Sequence, residues 1–199
     1  MRVALALLLV LAATSIARAQ EVGVVGSQTP AEKARPLPDP PPELVKLLEV
    51  YEKEPAPQRD VKRLFASTLY YLFVRDLDSY VRCIHADYEL EENGSVKKLP
   101  LADHEARVKK LWETTAKPTL GLADVVDLEK ARAYTRDQAK RWIGDWKKQP
   151  SELAKVMLEG DFLVIAPLKS GGKEQTDFYA EVYYIIRKQD GLWKVAIGE

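Results

Sequence analysis

Residues Thr176 to Ile197 read TDFYAEVYYIIRKQDGLWKVAI. β-branched and aromatic residues dominate both halves, and Asp190-Gly191 divides them, which is the pattern of two strands joined by a tight turn. Alternation along the first half sends Phe178, Ala180, Val182, Tyr184 and Ile186 to one side. Asp177, Tyr179, Glu181, Tyr183 and Arg187 go to the other. Just upstream, Val156-Met157-Leu158 and Phe162-Leu163-Val164-Ile165 flank Glu159-Gly160-Asp161, predicting a further pair of strands. Every connection is short or hairpin-like, so the predicted sheet is antiparallel.

The segments before this sheet have helical spacing. Val61, Leu64 and Phe65 lead into Leu69-Tyr70-Tyr71-Leu72-Phe73-Val74, predicting a helix from an Asp60 cap to Arg75 whose second half is wrapped by other elements. A short helix is expected over Asp76 to Ile84. Tyr88 to Leu99 carries Asn93-Gly94, the signal of a tight hairpin. Leu101, His104, Val108, Leu111 and Thr115 mark one face of another helix. Pro118 to Ala133 has no clear period. Thr135 with Gln138 then forms a capping-box pair ahead of Ala139, Trp142, Ile143 and Trp146, predicting a helix up to Pro150. Helices followed by an antiparallel sheet make an α+β domain with the helices on one sheet face.

The amino-terminal fifth differs in composition. Met1-Arg2, the eleven-residue apolar run Val3–Ala13 and Ala17-Arg18-Ala19 read as a signal peptide over 1–19. The run is about half the ~20 residues a spanning helix needs, and Gln20 stands where a lipid anchor would need Cys. The expectation is a protein exported to the periplasm or medium, with no membrane span and no lipid. Six prolines between Pro30 and Pro42 make 20–42 an extended linker. Leu44, Leu47, Leu48 and Tyr51 give 43–57 a short amphipathic helix, which packs on its own domain or meets a partner. The main domain is expected over 58–199. Its 199-residue chain balances 30 Lys+Arg against 30 Asp+Glu, and loss of Arg2 and Arg18 on cleavage leaves it slightly acidic. Such a balance offers no bulk attraction to nucleic acid. The lone Cys83 supplies neither an internal disulfide nor a Cys-cluster metal site, and no cofactor or metal is expected.

The segment Leu158-Glu159-Gly160-Asp161 through Ile185-Ile186-Arg187-Lys188-Gln189-Asp190-Gly191-Leu192-Trp193-Lys194-Val195 resembles the close of nuclear-transport-factor-2-like (NTF2-like) domains, the SnoaL-like and cystatin-like cones. Arg75 to Tyr80 and His85-Ala86-Asp87-Tyr88-Glu89-Leu90 resemble that family's passage from second helix to first strand. The resemblance covers roughly 58–199. It implies a curved sheet wrapped around helices with a pocket inside, and no single activity. The Trp-bearing helix at 135–148 reads as an insertion.

In ketosteroid-isomerase-like members a carboxylate base follows by five residues the Asp that stands where Asp87 stands, so the resemblance implies Glu92 as an acid/base candidate. Alternation places Glu92 with Tyr88 and Leu90. His104, the one ionisable group on its helix stripe, is a second candidate. The alternative for His104 is a boundary histidine satisfied by a backbone carbonyl. His85, at a helix end, is placed where positive charge is favoured. Tyr70, Tyr71, Tyr88 and Trp112 are pocket-lining candidates, and Trp142 and Trp146 either stack on a ligand or dock their helix. Tyr179, Glu181 and Tyr183 are interface candidates: with Trp193, Val195 and Ile197 in register they would expose an aromatic face suited to a homodimer. The leading expectation is a non-catalytic binding or association module with a small apolar ligand. The alternatives are an isomerase- or dehydratase-type enzyme using Glu92 or His104, and a tethered envelope interaction protein.

Overall fold

The computed structural model describes residues 34–92, 95–142, 149–169 and 181–198. The expectations for the signal peptide, most of the linker, Asn93-Gly94, Ile143, Trp146, Phe178, Tyr179 and Ala180 therefore lie outside the described residues. Helix α1 is Pro42–Leu48, followed by a 3-10 turn over Glu49–Tyr51. Proline begins α1, where its missing N–H has no helical partner to lose. Leu44, Leu48 and Tyr51 are all buried in the main core, and the Tyr51 hydroxyl donates to the Leu128 carbonyl at 2.9 Å. The amphipathic stripe thus packs inside the domain.

Helix α2, Gln58–Val74, starts two residues before the expected Asp60, which sits in the first turn. There its charge complements the helix dipole. Leu69, Tyr71, Leu72 and Phe73 are buried, Tyr70 is half-buried and Val74 is exposed. Arg75 ends α2 in the left-handed region, at φ 62°. Asp76 caps α3, Leu77–Cys83, by accepting from the Ser79 N–H at 3.1 Å. Strand β1 (Ile84–Glu92) and β2 (Ser95–Lys98) pair antiparallel with Glu92 opposite Ser95. Helix α4 is Leu101–Thr114. The Arg75 guanidinium donates to the carbonyls of Trp112 and Thr115, both at 2.8 Å, tying the end of α4 to the end of α2.

The unpatterned middle supplies a short helix α5 (Leu122–Val125), a 3-10 turn over Leu128–Lys130 and a strand β3 (Arg132–Thr135). The capping box forms, with Thr135 Oγ1 accepting from Gln138 N–H and Gln138 Oε1 from Thr135 N–H, and starts α6, Arg136–Arg141. Val156–Leu158 is not a strand, contrary to the sequence expectation; it follows α7 (Pro150–Leu153) as a turn. The Asp161 carboxylate accepts from the Leu158 N–H at 2.8 Å and fixes that turn, so β4 (Phe162–Pro167) takes β3 as its outer neighbour. Strands β5 (Glu181–Gln189) and β6 (Leu192–Gly198) close the chain.

The six strands run in the order β2-β1-β6-β5-β4-β3, an open sheet with helices on it. All neighbours are antiparallel except β1 and β6, which are parallel with Ile84 opposite Val195. The wholly antiparallel expectation fails at this one pair because its strands are not joined by a local turn. In β6, Ile185 faces Ile197 while Ile186 faces Val195, so Ala196 is an extra residue. Such a bulge bends and twists the strand. Trp193 and Val195 then pack with Val182, Tyr184 and Ile186 beneath α1 to α4, whereas Ala196 and Ile197 pack on the reverse face. The expected shared face for Trp193, Val195 and Ile197 does not form.

The reverse face is also covered. Ala139 of α6 with Leu153, Ala154 and Met157 at and after α7 pack on Leu163, Ile165, Tyr183, Ile185 and Ile197. Helices therefore occupy both faces of the central strands, and the expectation of helices on one face is corrected. Tyr183 is only 4% exposed because this second layer seals it. Among the interface candidates, Glu181 is half-buried at the start of β5 and Tyr179 lies outside the described residues.

Candidate functional site

On the inner face His104 is 7% exposed. Its Nε2 shares a hydrogen bond with the Tyr80 hydroxyl at 3.0 Å, and the Tyr88 ring lies over it with centroids 4.2 Å apart. The expectation of a backbone carbonyl partner is replaced by a phenol. Burial, reinforced by Arg107, drives the His104 pKa down to about 4, so the imidazole stays neutral near pH 7. Burial likewise holds the Tyr80 and Tyr184 phenols protonated. The Tyr88 hydroxyl donates to the Gly198 carbonyl at 3.2 Å. Gly198 is required there, because a Cβ would stand 2.4 Å from Tyr184 Cδ1 and 3.2 Å from the Tyr88 oxygen. This inner end is packed side chain against side chain.

The other predicted residues are dispersed. Tyr71 and Tyr88 are core side chains, and burial raises the Tyr71 pKa to about 12. Tyr70 is half-buried and meets Tyr71 edge-on at 5.7 Å. Trp112 is half-buried beside Arg75, and its indole N–H has no hydrogen-bond partner. Glu92 ends β1 at the hairpin, and its side chain lies outside what the structure describes. His85 is on β1, not on a helix end, and accepts from the Asp87 N–H at 3.0 Å. Burial and then Arg187 lower its pKa, the reverse of the expected favouring of charge. Cys83 is fully buried, donates to the Ser79 carbonyl at 3.4 Å and is pushed up to about 12 by burial. It is inert as a nucleophile. Trp142 follows α6 and meets Tyr134 edge-on at 6.2 Å.

A cavity of about 420 Å³ lies elsewhere, between α3, the first turns of α4, the start of β1, and β6. Val81, Ile84 and Leu101 give it apolar walls; Arg35, Arg82, Lys194, Asp78 and Glu105 give it charge. None of the sequence candidates lines it. Lys194 is 2% exposed, and its Nζ donates to the Arg35 carbonyl at 2.5 Å and to the Arg82 carbonyl. Burial lowers its pKa. The lining residues Ala34 and Arg35 are held by this lysine and by the Asp190 carboxylate, which accepts from the Ala34 N–H at 2.8 Å. On the sheet nearby, Arg187 forms a two-pronged ion pair with Asp161, the shortest contact 2.8 Å. The signal for Lys194 was in the sequence: a lysine set between Trp193 and Val195 in an apolar strand must reach some acceptor.

No protein-family model matches the chain, and no curated protein matches it. Among solved structures it is similar to an NTF-2 like protein of unknown function from Shewanella oneidensis MR-1. The two are 16% identical, with 70% of this chain and 93% of that chain covered and a TM-score of 0.37. Among the described residues no helix is long and apolar enough to cross a membrane, and no His/Cys/Asp/Glu group is placed to hold a metal ion.

Proposed function

We propose that this chain is an exported NTF2-like domain that binds a small ligand with apolar and polar parts in the groove beside Lys194 and performs no chemistry on it. The observation that carries the reading is the separation of imidazole and cavity. His104 is sealed by Tyr80 and Tyr88, whereas the cavity lies between α3, α4 and β6. Its volume, about 420 Å³, is that of small-molecule sites. Val81, Ile84 and Leu101 supply apolar contact, and Arg35, Asp78, Arg82, Glu105, Gln189 and Lys194 supply more polar groups than such sites usually carry, so the ligand that fits has a polar part as well as an apolar one. Export rests on Met1-Arg2, the apolar run to Ala13 and Ala17-Arg18-Ala19.

Amide NMR of the mature chain with a mixture of neutral and charged fragments tests the binding. Shifts are expected to gather at Val81, Ala86, Leu101 and Gln189; an unperturbed groove at millimolar fragment removes the reading. Amino-terminal sequencing of the exported protein is expected to start at Gln20, and a start at Met1 would overturn the cleavage.

A further inference from the structure

The groove's lining is chemically mixed. Val81, Ile84 and Leu101 are its apolar residues, and Lys194, Arg82 and Arg35 its cations. Lys194 has left bulk water, being 2% exposed, yet its two acceptors are backbone carbonyls, which carry dipoles and no charge. Among the described residues no carboxylate stands at ion-pair distance from it. An ammonium has three N–H donors, so one remains after the two carbonyls are served. The acids of the groove do not compensate it: Glu105 pairs with Lys109 at 2.7 Å, and Asp78 is exposed at the rim. A buried cation gains most from a full negative charge brought into the same low-dielectric space.

We propose that the groove takes a small amphipathic monocarboxylate, with the carboxylate on Lys194 and Arg82 and the hydrocarbon along Val81, Ile84 and Leu101. This rests on the groove being the ligand site. The lysine then has two tasks, because it also holds the lining residue Arg35 through its carbonyl.

Calorimetric titration of the mature chain with octanoate and with 1-octanol separates charge from chain. Octanoate is expected to bind about tenfold or more tightly than octanol, the scale of one charge-assisted hydrogen bond. Lys194→Gln keeps N–H donors for the carbonyls but loses the charge. It is expected to weaken octanoate by about tenfold or more while leaving octanol unchanged. Should that variant not fold, Arg82→Gln on the exposed side of α3 is expected to weaken octanoate alone. Equal binding of the two probes, or octanoate binding untouched by the substitution, overturns the carboxylate while the groove stands as a ligand site. Loss of both probes with fragment shifts intact overturns the amphipathic class. Loss of both probes and of the fragment shifts brings down the groove reading itself.

Discussion

On the helical side of the sheet, Tyr80, Tyr88, Tyr184 and His104 satisfy and stack on one another around Gly198. On the reverse side, Leu163, Ile165, Ile185 and Ile197 lie under α6 and α7, and the sheet also buries charge, Asp161 with Arg187 and, against the end of α3, Lys194. Both faces are buried, but by different means. The inner polar groups are kept neutral, so burial costs them little once they are hydrogen-bonded. Asp161, Arg187 and Lys194 are charged, so each needs a charge or several dipoles to repay desolvation. Asp161 and Arg187 have each other, whereas Lys194 has two carbonyls. The difference is why the proposed binding is set at Lys194: a neutral, mutually satisfied cluster has nothing left to offer a ligand.

The sharpest way to break this contrast is Asp161→Ala. It strands Arg187, whose side chain is 16% exposed against 1% for Asp161, and it deprives the Leu158 N–H of its acceptor. Chemical denaturation should show a loss of about 3–5 kcal/mol; a loss below about 1 kcal/mol would mean that the pair behaves as a surface contact.

Gly198→Ala probes the inner face. The added methyl must displace the Tyr184 ring, itself 5% exposed and edge-on to Phe65 at 5.7 Å. The expected cost is about 1–3 kcal/mol by thermal or denaturant unfolding. A neutral result would show that the phenol cluster has room.

Tyr80→Phe removes the hydroxyl on His104 and should cost about 1 kcal/mol. The same site sets a pH dependence. The His104 pKa is about 4 when folded and about 6.5 when unfolded, so the unfolded chain binds the extra proton between those values. Stability is therefore expected to be full above pH ~6.5 and to fall as the pH drops toward about 4. His104→Gln should flatten that part of the curve relative to the parent. An imidazole that titrates near 6.5 by NMR would show it in contact with water.

Lys188→Ala tests the rim, where the ammonium lies 4.8 Å from the Trp193 ring centroid. About 0.5–1 kcal/mol is expected, the smallest effect of the series and one that double-mutant analysis with Trp193→Leu should abolish.

Local features were legible where local chemistry was sufficient. The Thr135–Gln138 box, the Asp190-Gly191 turn and the inward set Val182, Tyr184 and Ile186 needed only near neighbours. The second layer had a signal that alternation obscured. Val182 through Ile186 contains no charged residue, and an uninterrupted apolar run marks a strand buried on both faces. Strand β3 had none, because Arg132–Thr135 owes its state to pairing with Phe162–Ile165. The groove was illegible for a related reason, since its walls come from residues 34–35, 78–86, 101–105 and 189–194.

The sequence by itself determined the α+β class, the main helices and the polarity of the long strand, because periodicity and turn chemistry act between residues a few positions apart. Tertiary structure alone decided three things: the parallel pairing of β1 with β6, the bulge at Ala196 that sends Val195 and Ile197 to opposite faces, and the burial of Lys194 against residues 35 and 82. Each depends on contacts between segments far apart in the chain, where hydrophobic burial is non-directional and the register is settled only once both partners are in place.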